Sequence, residues 1–190
     1  MKAELPKNID YTKYHSSGGM ATSKWGPPCW DFLFTSIIGR YPIKIQTKSD
    51  KEIKKSFKQF LSGLDMILPC IFCRNSLSNF IKELPIEPFL VGRIELVYWL
   101  YLIKDKVNNK LICQEKKCYK EEKIKLKELY KEKKITENEY YQKIKETKSK
   151  IFVTKKTPTF DQVLDRYEMN RAVCSKKALT CVLPTPITNK

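Results

Sequence analysis

The 190-residue chain holds one histidine, five arginines and six glycines, and each scarcity argues against a class of function. His15 stands alone near the N-terminus in a Gly/Ser-bearing stretch, which argues against histidine-based metal centres and histidine-dependent triads. Lysine outnumbers arginine 32 to 5. The formal charge of +16 therefore makes only a weak case for nucleic acid as a partner, because arginine does most bidentate reading of bases and phosphates, and Lys-rich solvated faces are common. A signal peptide is also missing: Met1 to Thr22 carries Lys, Glu, Asp and Gly-Gly but no apolar core. The most apolar stretch, Phe89 to Ile103, is interrupted by Arg93 and Glu95 and is shorter than the ~20 residues of a bilayer span. These absences predict an intracellular protein, not secreted and without a membrane span.

What is present is a 42% hydrophobic chain, enough for one domain core with a small appendage, and seven cysteines. Without a secretory signal, those cysteines point to catalysis, redox transfer or metal binding rather than to a disulfide-stapled scaffold.

Helical spacing dominates the pattern, and no convincing strand pattern is found. Residues 1–22 read as a mobile N-terminal arm. Trp25-Gly26-Pro27-Pro28-Cys29-Trp30 opens a helix carrying Leu33, Phe34, Ile37 and Ile38, with the prolines in its first turn and Gly39 to Pro42 closing it. A second helix is predicted from about Ser49 to Leu64, a third from Cys73 to Leu84, and a fourth from about Phe89 to Leu111. The fourth is expected to bury Leu90, Ile94, Val97, Tyr98, Tyr101 and Leu102. From Cys113 to Lys156 the composition shifts to 15 Lys and 8 Glu without Arg or Asp, a net +7. Ile124, Leu126, Leu129 and Tyr130, then the capping box Thr136-Glu137-Asn138-Glu139, predict a helical hairpin there. A last short helix is expected over Asp161 to Arg171. The fold class is therefore all-α: a small four-helix bundle with a short fifth helix, plus an inserted Lys-rich hairpin. The main domain covers 23–112 and 157–181, the insert 113–156, and a flexible tail 182–190.

Cys70-Ile71-Phe72-Cys73 is the sharpest chemical signal. Two thiols one helical turn apart can close a disulfide whose first sulfur sits at a helix N-terminus, where unpaired N–H groups favour the thiolate. A lone CxxC is also half of a zinc site, with Cys113-x4-Cys118 as the nearest other half; that spacing matches no familiar ribbon, so metal takes a minor share. Cys174 and Cys181 flank a short Lys-rich turn, and a structural bridge between them is predicted. Cys29, between Pro28 and Trp30, reads as a buried small hydrophobe.

Several motifs occur in a telling order: WGPPCWDFLFT (Trp25 to Thr35), Tyr41-Pro42, LPCIFCR (Leu68 to Arg74), and a Trp-containing helix ending in DKVNNKL (Asp105 to Leu111). The set resembles the Erv and ALR flavin-linked sulfhydryl oxidases, and TPTFDQVLDRYEMNRAVCSKK (Thr157 to Lys177) resembles the tail of forms encoded by large DNA viruses. The resemblance implies a small helical bundle that holds FAD, forms a homodimer, oxidises protein dithiols and passes electrons to molecular oxygen, giving hydrogen peroxide. A viral form would work in the host cytoplasm, the virus factory or the virion. Cys73 would be the flavin-proximal thiol and Cys70 the exchanging one. Trp25, Gly26, Trp30, Phe34, Tyr41, Lys104, Asp105, Val107, Asn108 and Lys110 would border the cofactor. Cys113 and Cys118 would be a shuttle pair or a staple at the base of the insert. Family members usually carry His at the position of Phe34 and His-Asn at Lys104-Asp105, so this chain lacks both histidines that normally touch the flavin nucleotide. The alternatives are a cysteine-based zinc module and a degenerate oxidase-like protein acting through its basic surface.

Overall fold

In the computed structural model, which describes residue 10 and residues 19–172, Pro27 and Pro28 lie inside the first helix rather than in its first turn. This helix, α1, spans Thr22–Arg40. Proline supplies a helical φ but no N–H, so the turn ahead of the pair is weakly bonded to the rest of the helix. It is anchored from outside instead: Trp25 Nε1 donates to the Met20 carbonyl at 3.1 Å, and Met20 N–H donates to the Pro69 carbonyl at 3.0 Å. Gly19 sits so close to that carbonyl that an added Cβ would stand 2.5 Å from it. His15, the expected Cys174–Cys181 bridge, most of the expected N-terminal arm and the tail 182–190 lie outside the described residues.

The remaining helices are α2 (Lys48–Ser62), α3 (Leu64–Ile67), α4 (Ile71–Glu83), α5 (Arg93–Lys131), α6 (Glu137–Ile151) and α7 (Phe160–Glu168), with a 3₁₀ turn at Glu87–Phe89. The described residues contain no strand, only an isolated bridge between Lys44 and Gly92, and the fold is all-α. Thr47, Thr136 and Thr159 each cap a helix with a reciprocal capping box, to Asp50, Glu139 and Gln162.

Helix α5 organises the bundle, lying against α1, α4, α6 and α7. It begins at Arg93 rather than Phe89, because the chain first makes the 3₁₀ turn and then runs extended through Gly92. That later start shifts its buried face. Leu96, Val97, Trp99, Leu100 and Ile103 are buried, whereas Ile94 is 50% and Tyr98 41% exposed. Trp99 enters the core because its Nε1 finds the Leu84 carbonyl at 2.9 Å. Tyr98 instead joins Tyr101 and Phe160 in an aromatic cluster that docks the start of α7.

The expected end of this helix at Leu111 is also revised: α5 continues without a break to Lys131. No glycine or proline occurs between Gly92 and Pro158, and the change to Lys and Glu alters solvation without breaking the helix. Its distal half pairs with α6 through Tyr130 on Tyr140 (5.5 Å), Tyr119 on Phe152 (5.2 Å) and Glu115 on Thr154 (2.6 Å).

α5 stops in a Schellman motif, with Lys134 N–H donating to Leu129 O and Lys133 N–H to Tyr130 O, both at 3.0 Å. Lys133 occupies the left-handed position with φ 56°, which costs a side-chain-bearing residue ~1 kcal/mol or more. Lys133→Gly is therefore expected to raise stability by about 0.5–1 kcal/mol, read as a higher denaturation midpoint at unchanged slope. An unchanged or lower midpoint would contradict the strain.

Candidate active site

Proline 69 decides the local geometry of the CxxC. It holds Leu68 extended (φ −60°, ψ 135°), so α3 ends and the chain turns before α4 begins. Arg74 Nη1 fixes that turn by donating to the Leu68 carbonyl at 2.7 Å. Cys70 becomes the N-cap of α4, and its carbonyl accepts from Cys73 N–H (3.1 Å) and Arg74 N–H (3.0 Å). Its side chain therefore lies among free backbone donors of the first turn.

The two thiols are made unequal by this placement. Both are unbridged and only partly buried. A hydrogen bond from the Cys73 thiol, aided by the N–H groups of Cys73 and Phe72, holds the Cys70 thiol below its ordinary value. Cys73 lies deeper, and burial pushes its thiol up, with Lys110 and Thr22 pulling partly the other way. Thr22 Oγ1 is 3.8 Å from Cys73 Sγ, and Lys110 Nζ donates to Ser76 Oγ. In the reduced protein, iodoacetamide is accordingly expected to label Cys70 at lower pH than Cys73, since alkylation follows the thiolate. Peptide mapping across a pH series would show the order, and coincident profiles would refute the inequality.

Cys70 and Cys73 both border a cavity of about 340 Å³ between α1, α4 and α5. Its walls are mainly apolar: Trp25, Gly26, Cys29 and Trp30 from α1, Leu77 from α4, and Trp99, Leu100, Ile103 and Val107 from α5. Ser76 and Lys110 make one polar corner. The size suits a bound organic group, and aromatic walls with a few polar contacts are the usual lining of such sites. Gly26 is buried in the wall, yet a Cβ there would meet only Thr22 Cγ2, at 3.6 Å.

Of the residues expected to border a cofactor, Trp25, Gly26, Trp30, Val107 and Lys110 line this cavity. The other five lie outside its lining. Tyr41 is fully buried, its hydroxyl donating to the Leu90 carbonyl at 3.0 Å and burial pushing it up to about 12. Phe34 is also fully buried, stacked on Tyr167 at 4.9 Å. Lys104 lays its ammonium over the rings of Trp30 (5.8 Å) and Phe34 (5.6 Å). Asp105 accepts from Asn109 Nδ2, and Asn108 Nδ2 donates to Thr157 Oγ1, both at 2.9 Å.

Thr22, Ser76, Cys29 and Trp99 are wall residues that the sequence reading did not place there. Ser76 had a signal, lying one turn beyond Cys73 on the same helix. Thr22 had none, being 51 residues from Cys73 in the chain.

Cys113 and Cys118 are both exposed on α5. Five residues of continuous helix separate them by about 7.5 Å along the axis and about 140° around it, beyond disulfide reach unless the helix unwinds. Among the described residues no three His, Cys, Asp or Glu side chains converge as a metal site.

A family model described as Erv1 / Alr matches residues 28–131, more than half of the chain, from within α1 to the last residue of α5. The chain belongs to the Erv1/Alr family. The Erv1/Alr match contains Cys70 and Cys73 and most of the cavity wall. No curated protein matches the chain. FAD-linked sulfhydryl oxidation is the activity this family membership suggests in general, and the chemistry of the lining suits a flavin ring: three tryptophans and apolar side chains offer ring surface beside the two thiols.

Proposed function

We propose that the protein is an FAD-dependent thiol oxidase that forms disulfides in protein dithiols through Cys70 and Cys73, with oxygen as final acceptor and hydrogen peroxide as product. The observation that carries this reading is the unequal thiol pair at the start of α4, both members bordering the apolar cavity, with Cys70 beside helix-end donors and held low and Cys73 deeper and pushed up.

A substrate thiolate attacks Cys70 Sγ of the Cys70–Cys73 disulfide; the new bond joins substrate to Cys70, and Cys73 leaves as a thiolate. The substrate's second thiolate then attacks its own bridged sulfur, closing the substrate disulfide and expelling Cys70. The low proton affinity of Cys70 favours that departure. Two electrons now rest on the Cys70/Cys73 pair, and two protons have been released from the substrate thiols. Lys110 and Thr22 steady the negative charge on Cys73. Trp25, Gly26, Trp30, Val107 and Lys110 would hold the FAD, with Lys104 and Phe34 packed behind Trp30. When bound, FAD supplies the redox step that takes the pair's electrons on to oxygen.

The same reading makes the protein a homodimer of the viral type, working inside the host cell. Residues 23–112 and 157–181 are its oxidase domain, and 113–156 an appended arm whose Cys113 and Cys118 are candidate shuttle thiols. Among the described residues no helix is long and apolar enough to cross a membrane.

The test is direct. Purified protein is expected to be yellow with flavin absorption and to consume oxygen when dithiothreitol is added. A colourless protein that added FAD does not reconstitute, and that leaves oxygen unconsumed, would overturn the reading.

A further inference from the structure

The stretch Met66 to Cys73 contains no charged residue in a chain of which 31% is charged. Its side chains are not buried to match. Met66 is 79%, Ile67 66%, Ile71 52% and Phe72 75% exposed. Met66 and Ile67 end α3, Ile71 and Phe72 begin α4, and Cys70 lies between the two pairs. An apolar collar of this kind on a strongly charged surface marks a place where something binds.

The opposite side of Cys70 is already occupied. The backbone at Gly19 and Met20 crosses there, bonded to the Pro69 carbonyl, and a Cβ built on Gly19 would lie 3.5 Å from Cys70 Cα. Cys70 also borders the cavity that the cofactor would fill, so an incoming sulfur approaches over the collar. The chemistry then fixes what covers it, because a mixed disulfide to Cys70 Sγ puts the residues flanking the substrate cysteine within a few ångströms of Ile71 and Phe72.

We propose that the collar selects the substrate: extended, incompletely folded polypeptide in which the reactive cysteine is flanked by apolar side chains. This rests on the thiol-oxidase reading and deepens it. A finished protein surface seldom presents such a segment, whereas a chain that has yet to close its disulfide exposes it. The collar carries no charge to attract a polar or acidic flank.

Two peptides of equal length test this, each with a Cys-x-x-Cys pair, one flanked by Leu and Phe and the other by Ser and Gly, with dithiothreitol as a small dithiol. The full-length holoenzyme is expected to favour the apolar peptide at least tenfold in kcat/KM. The Met66→Ser, Ile67→Ser variant should bring that ratio near one through KM, with dithiothreitol turnover unchanged; neither residue lines the cavity. Equal rates on the two peptides with dithiothreitol still oxidised would overturn the collar and leave the oxidase standing. A change of sedimentation from dimer to monomer in the variant would assign the collar to a second copy of the chain and overturn the proposal. If dithiothreitol is not oxidised, the oxidase reading has failed. The rate at which reduced Cys70 captures the same peptides, activated as thionitrobenzoate disulfides, then decides the collar: a tenfold apolar preference supports it, and none overturns it.

Discussion

Cys73→Ser is expected to remove turnover of dithiothreitol and of protein dithiols by at least about 10³-fold, the scale on which loss of a covalent participant is felt. The reason lies in the geometry. Cys70 without Cys73 cannot form the disulfide that a substrate thiolate attacks, and no other described cysteine is placed to replace it. Cys113 and Cys118 are exposed on α5 and outside the cavity lining, and Cys29, though on the cavity wall, is a half-buried thiol whose proton is held by burial. The fold should survive, because serine is smaller than cysteine and the side-chain contacts of Cys73, to Thr22 Oγ1 at 3.8 Å and to the Cys70 thiol, are weak ones that a hydroxyl can also make. Circular dichroism and the thermal midpoint are therefore expected to stay near wild type. The variant should still exchange with disulfide-bonded peptides through Cys70, giving a mixed disulfide that mass spectrometry detects and that the chain cannot resolve internally. Turnover above a tenth of wild type would show that Cys73 is not the second thiol of the cycle.

Cys70→Ser separates the two roles. It leaves Cys73 facing the cavity but removes the hydrogen-bond partner that raises it, so the remaining thiol should ionise more readily than in the pair. Turnover should again be lost, now with no capture of peptides in mixed disulfides. The pair of variants distinguishes an exchanging thiol from a cavity-facing one, which loss of activity alone does not.

The sequence reading succeeds where the signal is local. The capping box at Thr136, the CxxC at a helix start and the stop before Pro85 all rest on residues within one turn of each other, and all are seen. It fails where a boundary depends on tertiary structure. The chain changes composition at Cys113 because α5 leaves the bundle and meets water, while its backbone bonds continue to Lys131. The buried face of α5 differs from the expected one at Ile94 and Tyr98 for a related reason: the helix start at Arg93 is set by the 3₁₀ turn and by Gly92, where a Cβ would come within 2.7 Å of the Ile43 carbonyl. Spacing alone does not reveal that approach. The cavity shows the same division. Ser76 can be inferred from Cys73 by helical periodicity, whereas Thr22 reaches the sulfur only because α1 extends back beyond its two prolines.

Phe34 and Lys104, the positions where the resemblance led to an expectation of histidine, meet in space, and this leads to the largest expected loss of stability. Phe34 is fully buried with one face stacked on Tyr167 at an interplanar angle of 14° and Lys104 5.6 Å from the ring centroid. Phe34→Ala is expected to cost about 3–5 kcal/mol, the usual range for deleting a buried aromatic ring, and to lower the thermal midpoint by roughly 10 °C or more. Tyr167 would keep its hydroxyl bond to Asp31 at 2.7 Å but lose the ring beneath it, so α7 should loosen first and its amides exchange faster. A loss below about 1 kcal/mol would mean that the ring is not part of the core. Placing histidine at this position alone, Phe34→His, should also destabilise, because it brings buried ring nitrogens without assured partners next to a half-buried ammonium. Lys104 is itself held below its ordinary proton affinity, first by burial and then by Arg166, with Asp31 acting in the other direction. Because the two side chains touch, Phe34→His and Lys104→His should not add: the double variant is expected to be more stable than the sum of the single losses predicts. Additive losses in that cycle would show that the two positions are energetically independent, and a positive coupling would show that Phe34 and Lys104 act as one unit.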